Sequence, residues 1–247
     1  MNTLLFLMVS LHILPGTGPR TLLLFHGYGG SQEIADQIRA ADVTDATLVS
    51  FNFPDHDLTD YDPERATFGT PGELIPALEA LTQLIVTEGR RNVDLYGFSA
   101  GGGALINLIA LLNSDRYQVA HRQELLEVIQ QGSILLDAPF KSIEEIIAFR
   151  GPSEEFSLMA ERYARNRMRP IDSLEGWKGL RLNVIIYFER PDEVLSNRDD
   201  SLFVERLRQV NKDGTNTILF GTTGGHNALH PALWSAYRQA SKSLSRS

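Results

Sequence analysis

The chain contains no cysteine in 247 residues. Disulfides, thiolate metal sites and a cysteine nucleophile are thereby excluded, and a reducing, cytoplasmic setting is the expectation. Cationic residues are also scarce: 23 Lys and Arg stand against 31 Asp and Glu, a formal net charge of −8. Phosphate binding needs clustered Lys and Arg, so nucleic acid is not expected as a partner. Long hydrophobic runs are missing too. The nearest to one, Met1 to Leu14, is interrupted by Ser10 and His12 and has no Lys or Arg ahead of its apolar part. It is too short to span a bilayer, and no small-residue cleavage site follows before Pro15-Gly16. A β-strand, with no stable membrane insertion, is expected there in place of a signal peptide.

What the chain does have is an ordinary soluble composition, 43% hydrophobic and 22% charged, with ample length for a buried core. Short apolar runs alternate with amphipathic stretches, which predicts an α/β fold with a mostly parallel central sheet flanked by helices. Strands are expected at about Leu4–Ile13, Thr21–His26, Ala46–Phe51, Val93–Phe98, Ser133–Asp137, Leu182–Phe188 and Thr217–Phe220. Helices are expected over Ser31–Ala40, from Thr70 through Leu74, Ile75, Leu78, Leu81 and Ile85, and over Ala100–Leu112, Asp199–Val210 and His230–Leu244. Two stretches break the alternation. Asn52–Gly69 is polar and rich in turns, and Lys141–Gly179 has helical periodicity without a convincing strand. Without repeat or linker, residues 1–247 are expected to form one domain, with an insertion at about 140–179.

Chemistry is concentrated at three places. In Gly97-Phe98-Ser99-Ala100-Gly101 a strand runs directly into a helix. A serine hydroxyl becomes a nucleophile only when a base removes its proton and a fixed geometry presents it. A sharp strand-to-helix turn does the presenting, and it needs glycine or other small neighbours. A simple glycine-rich helix cap is the bland alternative. Upstream, Phe25-His26-Gly27-Tyr28-Gly29-Gly30 ends a strand in small residues, leaving backbone N–H groups able to hold an oxyanion. The N–H groups of Tyr28 and Ala100 are the expected oxyanion hole, with His26 ordering the loop by hydrogen bonding. Downstream, Gly224-Gly225-His226-Asn227 follows the last strand, and His226 is the expected base. His230 is expected to be a surface or capping residue beside Pro231, and His56 a solvated loop residue. The acid that orients the imidazole should follow the preceding strand, and Asp192 is the expected one. Glu189, Glu193, Asp199 and Asp200 compete nearby; Asp137 is the distant rival, otherwise a turn residue before Pro139.

The chain order Ser99, Asp192, His226, each just past a strand, resembles the α/β-hydrolase superfamily from Thr21 to the end. It is similar above all to the small esterase, lipase and thioesterase branches. One departure is that Glu189-Arg190-Pro191 replaces the usual glycine ahead of the acid. The resemblance implies a helical cap in the 140–179 insertion and a small-molecule ester or acyl substrate. A carboxylic ester ranks first, a thioester next and an amide after that, with no cofactor and no metal. Two rivals stay open: a hydrolase-fold protein that binds a ligand or partner without turnover, and the same triad acting on a C–C bond or a lactone.

Overall fold

The computed structural model describes residues 9–54, 70–151, 168–190, 192–222, 225–226 and 229–244. The expectations placed on His56, most of Asn52–Gly69, Gly224 and Asn227 lie outside them. The short apolar runs form β1 (His12–Leu14), β2 (Thr21–Phe25), β3 (Thr47–Ser50), β4 (Val93–Phe98), β5 (Ser133–Asp137), β6 (Asn183–Glu189) and β7 (Thr215–Gly221). Between them come α1 (Ile34–Ala40), α2 (Ile75–Thr82), α3 (Ala100–Leu112), α4 (Arg122–Gln131), α5 (Ile143–Arg150), α6 (Pro170–Ser173), α7 (Asp200–Val210) and α8 (Pro231–Leu244).

Among the described residues the strands make one sheet in the order β1-β3-β2-β4-β5-β6-β7. Only β1 runs antiparallel to its neighbour. The central strands are apolar on both faces because both are covered. Leu23, Phe25, Leu95, Ile134, Leu136, Val184 and Ile186 face α2, α3, α4 and α7. Their alternates Leu22, Leu24, Tyr96, Leu135, Ile185 and Tyr187 share a second cluster with Ile38 of α1 and Trp234 of α8. Alternation along each strand thus fills two cores, which is why these runs lack a polar face.

Three local expectations change. β1 is limited to His12–Leu14 because its partner β3 offers only four residues, Thr47–Ser50; Met1–Met8 lie outside the described residues. The stretch from Thr70 opens with a 3₁₀ turn at Pro71–Leu74, its first N–H groups capped when the Thr70 hydroxyl accepts from the Gly72 N–H at 3.1 Å. That tighter turn shifts the helical phase and leaves Ile75 46% exposed, while Leu74, Leu81 and Ile85 are buried. Helix α4, unforeseen, buries Leu125, Leu126, Val128 and Ile129 beneath a polar outer face.

At the N-terminal end of the sheet Asp94 is fully buried. It accepts from the Arg20 guanidinium, the Ser133 N–H at 2.6 Å and the Tyr237 hydroxyl at 2.8 Å. This network ties β4, β5 and α8 together, away from the opposite edge where the candidate residues gather.

Candidate active site

Ser99 joins β4 to α3 at φ 50° and ψ −118°, a conformation that costs a non-glycine residue on the order of 1–3 kcal/mol. Its surroundings hold it there. The Ser99 N–H donates to the Asp137 carbonyl at 3.0 Å, and its own carbonyl accepts from Phe140 at 2.9 Å. Gly101 lets α3 approach β2, since a Cβ there would lie 2.2 Å from the Phe25 carbonyl oxygen; at Gly97 a Cβ would meet Gly102 at 2.6 Å. The small residues of the motif thus have a steric cause.

The Ser99 Oγ lies 2.7 Å from His226 Nε2, and His226 Nδ1 lies 2.7 Å from Asp192 Oδ2. Asp192 also accepts through Oδ1 from the N–H groups of Val194 (2.7 Å) and Leu195 (2.8 Å). Its burial would raise the carboxyl's pKa, but the hydrogen bond and charge of His226 and these two N–H groups outweigh it and hold it low. The backbone bonds do the fixing expected of a glycine-led turn, although Glu189-Arg190-Pro191 precedes the acid. The Phe98 ring packs on the His226 imidazole, centroids 5.1 Å apart.

Ala100 is the first residue of α3, so its N–H has no acceptor within the helix. Tyr28 lies in the turn after β2 and packs against the apolar cluster of Ala100, Phe140, Ile143 and Leu195. A cavity of about 280 Å³ runs along residues 27–31, Gln37, Phe98 and His226. Larger hollows, about 550 Å³ beside α7 and β7 and about 500 Å³ near Arg20, include neither Ser99, Asp192 nor His226. His26 does order its loop: Nδ1 lies 2.9 Å from the Gly27 carbonyl and Nε2 accepts from the Phe53 N–H at 3.2 Å. That pattern fixes the neutral Nδ1–H tautomer and ties the end of β2 to the chain after β3.

Of the nearby rival acids, Glu189 and Asp200 are engaged elsewhere. Glu189 accepts from the Tyr187 hydroxyl at 2.5 Å, Asp199 precedes α7 as its cap residue, and Glu193 is exposed. Asp200 pairs with Lys141 at 2.5 Å and Arg190 at 3.4 Å. Lys141, only 2% exposed, also donates to the Ser196 carbonyl at 3.0 Å and so braces the loop that carries Asp192. Its third contact, Glu145 on α5, has a carboxyl that burial pushes up to about 7 against the pull of Lys141. Within residues 140–179, α5 packs Ile143 and Ile146 into the apolar cluster with Ala100, the residue after Ser99. Ile171, Leu174 and Trp177 are instead buried against the body, where the Trp177 indole donates to the Ile106 carbonyl at 3.1 Å.

His230 corrects half of its expected role. It does cap the last helix, its carbonyl accepting from the Leu233 and Trp234 N–H groups, but it is 4% exposed, not a surface residue, and its Nδ1 sits 2.5 Å from Asp137 Oδ1. Asp137 is correspondingly more than a turn residue: it is fully buried and serves His230, the Tyr96 hydroxyl and the Leu229 N–H, with no bond to His226. A helix-initiating His-Pro pair carries no local sign of this. The signal lay in three polar residues, Tyr96, Asp137 and Glu189, set in otherwise apolar strands.

No helix among the described residues is long and apolar enough to cross a membrane. No protein-family model and no curated protein sequence matches the chain. Solved structures do. A lipase-esterase related protein from Clostridium acetobutylicum superposes with a TM-score of 0.58 at 14% identity, covering 95% of this chain and 99% of that one. The esterase Est2 of Thermogutta terrifontis gives 0.59 at 14% identity over 96% and 85% of the two chains. Acylaminoacyl peptidase from Pyrococcus horikoshii gives 0.67 at 12% identity, over 98% of this chain and 40% of that one. The chain has the α/β-hydrolase fold.

Proposed function

We propose that the protein is a cytoplasmic serine hydrolase that cleaves a carboxylic ester, with thioesters the next class. The observation that carries the proposal is the relay Ser99 Oγ–His226 Nε2–Asp192, both contacts at 2.7 Å, built on a serine at positive φ. The esterases and the peptidase that share the fold support it.

In the proposed reaction His226 Nε2 accepts the Ser99 proton as Oγ bonds to the substrate carbonyl carbon. The carbonyl π electrons move to oxygen, and that oxyanion is held by the N–H groups of Tyr28 and Ala100. Collapse breaks the bond to the leaving group, which takes the proton from His226 and departs, leaving an acyl-serine. A water then gives its proton to His226 and attacks the same carbon; collapse returns the proton to Ser99 and frees the carboxylic acid. Asp192 keeps Nδ1–H pointed inward and stabilises the transient imidazolium. Ile143 and Ile146 lie where a cap would close over an apolar acyl group. No step calls for a metal or cofactor.

The test is labelling with a fluorophosphonate probe, followed by turnover of p-nitrophenyl esters and acyl-CoAs of graded length. Wild type labelled and Ser99→Ala unlabelled is the expected pair. A folded wild type that neither labels nor turns over would make the protein a binder.

A further inference from the structure

The loop between β7 and α8 carries His226, and one buried side chain reaches both of its ends. His230, at the C-terminal end, lies near enough to the backbone of Gly225, the residue just before His226, for that backbone to favour the protonated ring. Its Nδ1 is anchored 2.5 Å from Asp137 Oδ1 on β5, and its Nε2 lies 3.4 Å from Glu189 Oε2 on β6. The ring is also covered on one face: Tyr187 stacks on it with centroids 4.1 Å apart. Asp137 Oδ2 meanwhile accepts from the Leu229 N–H at 3.2 Å, holding a leucine at φ 74° that would otherwise leave the left-handed region. Gly225, at φ 151°, is the glycine at the other end. His226 lies between Gly225 and Leu229 in the chain.

We propose that His230 is a positioning residue, a buried imidazolium that clamps both ends of the loop and so holds His226 between Ser99 and Asp192. The inference rests on the hydrolase reading of those three residues. The clamp needs both ring nitrogens as donors, because each faces a carboxylate, Nδ1 that of Asp137 and Nε2 that of Glu189. The charged groups around the ring are Asp137 from β5 and Glu189 from β6; the Tyr187 and Tyr96 hydroxyls bond one to each. Burial would lower the ring's pKa, but the hydrogen bond and charge of Asp137, the Gly225 backbone and Glu189 outweigh it and raise it. Loss of that proton at alkaline pH costs the clamp a donor and leaves the buried Asp137 and Glu189 carboxylates facing a neutral ring. His226 then loses its alignment although its own hydrogen-bond partners are untouched.

The experiment compares wild type, His230→Gln and Ser99→Ala by two readouts. The first is the low-field proton resonance of His226 Nδ1–H, identified by its disappearance in Asp192→Asn. The second is kcat and KM on a p-nitrophenyl ester across pH. His230→Gln is expected to broaden or lose the resonance and to lower kcat tenfold or more with KM within about twofold. It should also abolish an alkaline fall in kcat that wild type shows; Ser99→Ala should keep the resonance. A His230→Gln protein with wild-type resonance and kcat overturns the clamp. If that variant fails to fold, a ¹⁵N titration of the wild-type imidazoles decides. His230 must stay doubly protonated above the ordinary histidine range, and the His226 resonance must fade as His230 titrates; independence of the two overturns the clamp. Absence of turnover and labelling in wild type, with the resonance still dependent on His230, would sink the hydrolase reading and leave the clamp standing.

Discussion

The Asp192–His226 and Asp137–His230 pairs are built from the same two side chains at the ends of neighbouring strands, yet their far nitrogens meet opposite chemistry. The Nε2 of His226 faces a hydroxyl, Ser99 Oγ at 2.7 Å; that of His230 faces a carboxylate, Glu189 at 3.4 Å. A hydroxyl can donate a proton, so in the proposed reaction its histidine is the acceptor. Carboxylates can only accept, so two of them favour the charged form of their histidine. The Asp–His contact alone therefore says little about role; the third partner decides it.

The largest expected effects fall on the first pair. Ser99→Ala or His226→Ala should cost about 10⁴–10⁶-fold in kcat, by analogy with triad knockouts in other serine hydrolases. Asp192→Asn should cost about 10⁴-fold, because the amide no longer selects the productive imidazole tautomer. Asp137→Asn should cost far less, acting only through the loop. The comparison breaks if steady-state kinetics give these two aspartates the reverse order.

Stability should divide differently. Asp94, at the other end of the sheet, is as buried as Asp137 but has no connection to the candidate site. Asp94→Ala strands the Arg20 guanidinium and should lower unfolding free energy by about 3–5 kcal/mol, as for other broken buried pairs. Denaturant unfolding measures that loss, and kcat of the remaining folded protein should not change. A large fall in kcat would mean that the two ends of the sheet are coupled.

The two pairs should also oppose each other in pH. Asp192 is depressed, so its contribution to stability is complete above the ordinary aspartate range and is lost as pH falls through its lowered folded value. His230 is raised, so its contribution is complete below the ordinary histidine range and is lost as pH rises through its raised folded value. Thermal unfolding should therefore peak between the two, with a fall of several degrees on each side. His230→Gln should flatten the alkaline fall alone, and Asp192→Asn the acid fall alone. A variant that flattened both would show that the pairs titrate as one system.

Much of this was legible in the sequence because it is local. A strand buried on both faces is an apolar run, and the turn at Ser99 imposes small residues within two positions of itself. His226 and Asp192 each follow a strand, so chain order made both of them candidates, Asp192 beside the competing Glu189, Glu193, Asp199 and Asp200. What was not legible depends on residues far apart. His230 finds Asp137, Glu189 and Tyr187 on two strands, 93 residues separating it from the first. Lys141 reaches Asp200 across 59 residues. Helix α4 failed for another reason: Arg122, Gln123, Glu124, Glu127, Gln130 and Gln131 mask a buried stripe of only four apolar residues.

The smallest expected effect comes from a third pair of the same type. His12 Nε2 lies 2.9 Å from Asp36 Oδ2 at the rim of the sheet, where the side chains are 32% and 56% exposed. Its distance is close to that of the two buried pairs, so geometry alone would rank it with them. Solvent screens it, however, and ordering two exposed side chains offsets most of the Coulomb gain, so pairs of this kind contribute about 0–1 kcal/mol. Asp36→Asn should therefore shift the thermal midpoint by no more than about 2–4 °C, the shift expected per kcal/mol at this chain length. Raising the salt concentration should shrink even that difference, whereas the effects of Asp192→Asn and Asp137→Asn should persist. A salt-insensitive loss at Asp36 as large as that at Asp137 would mean that burial is not what separates the three pairs.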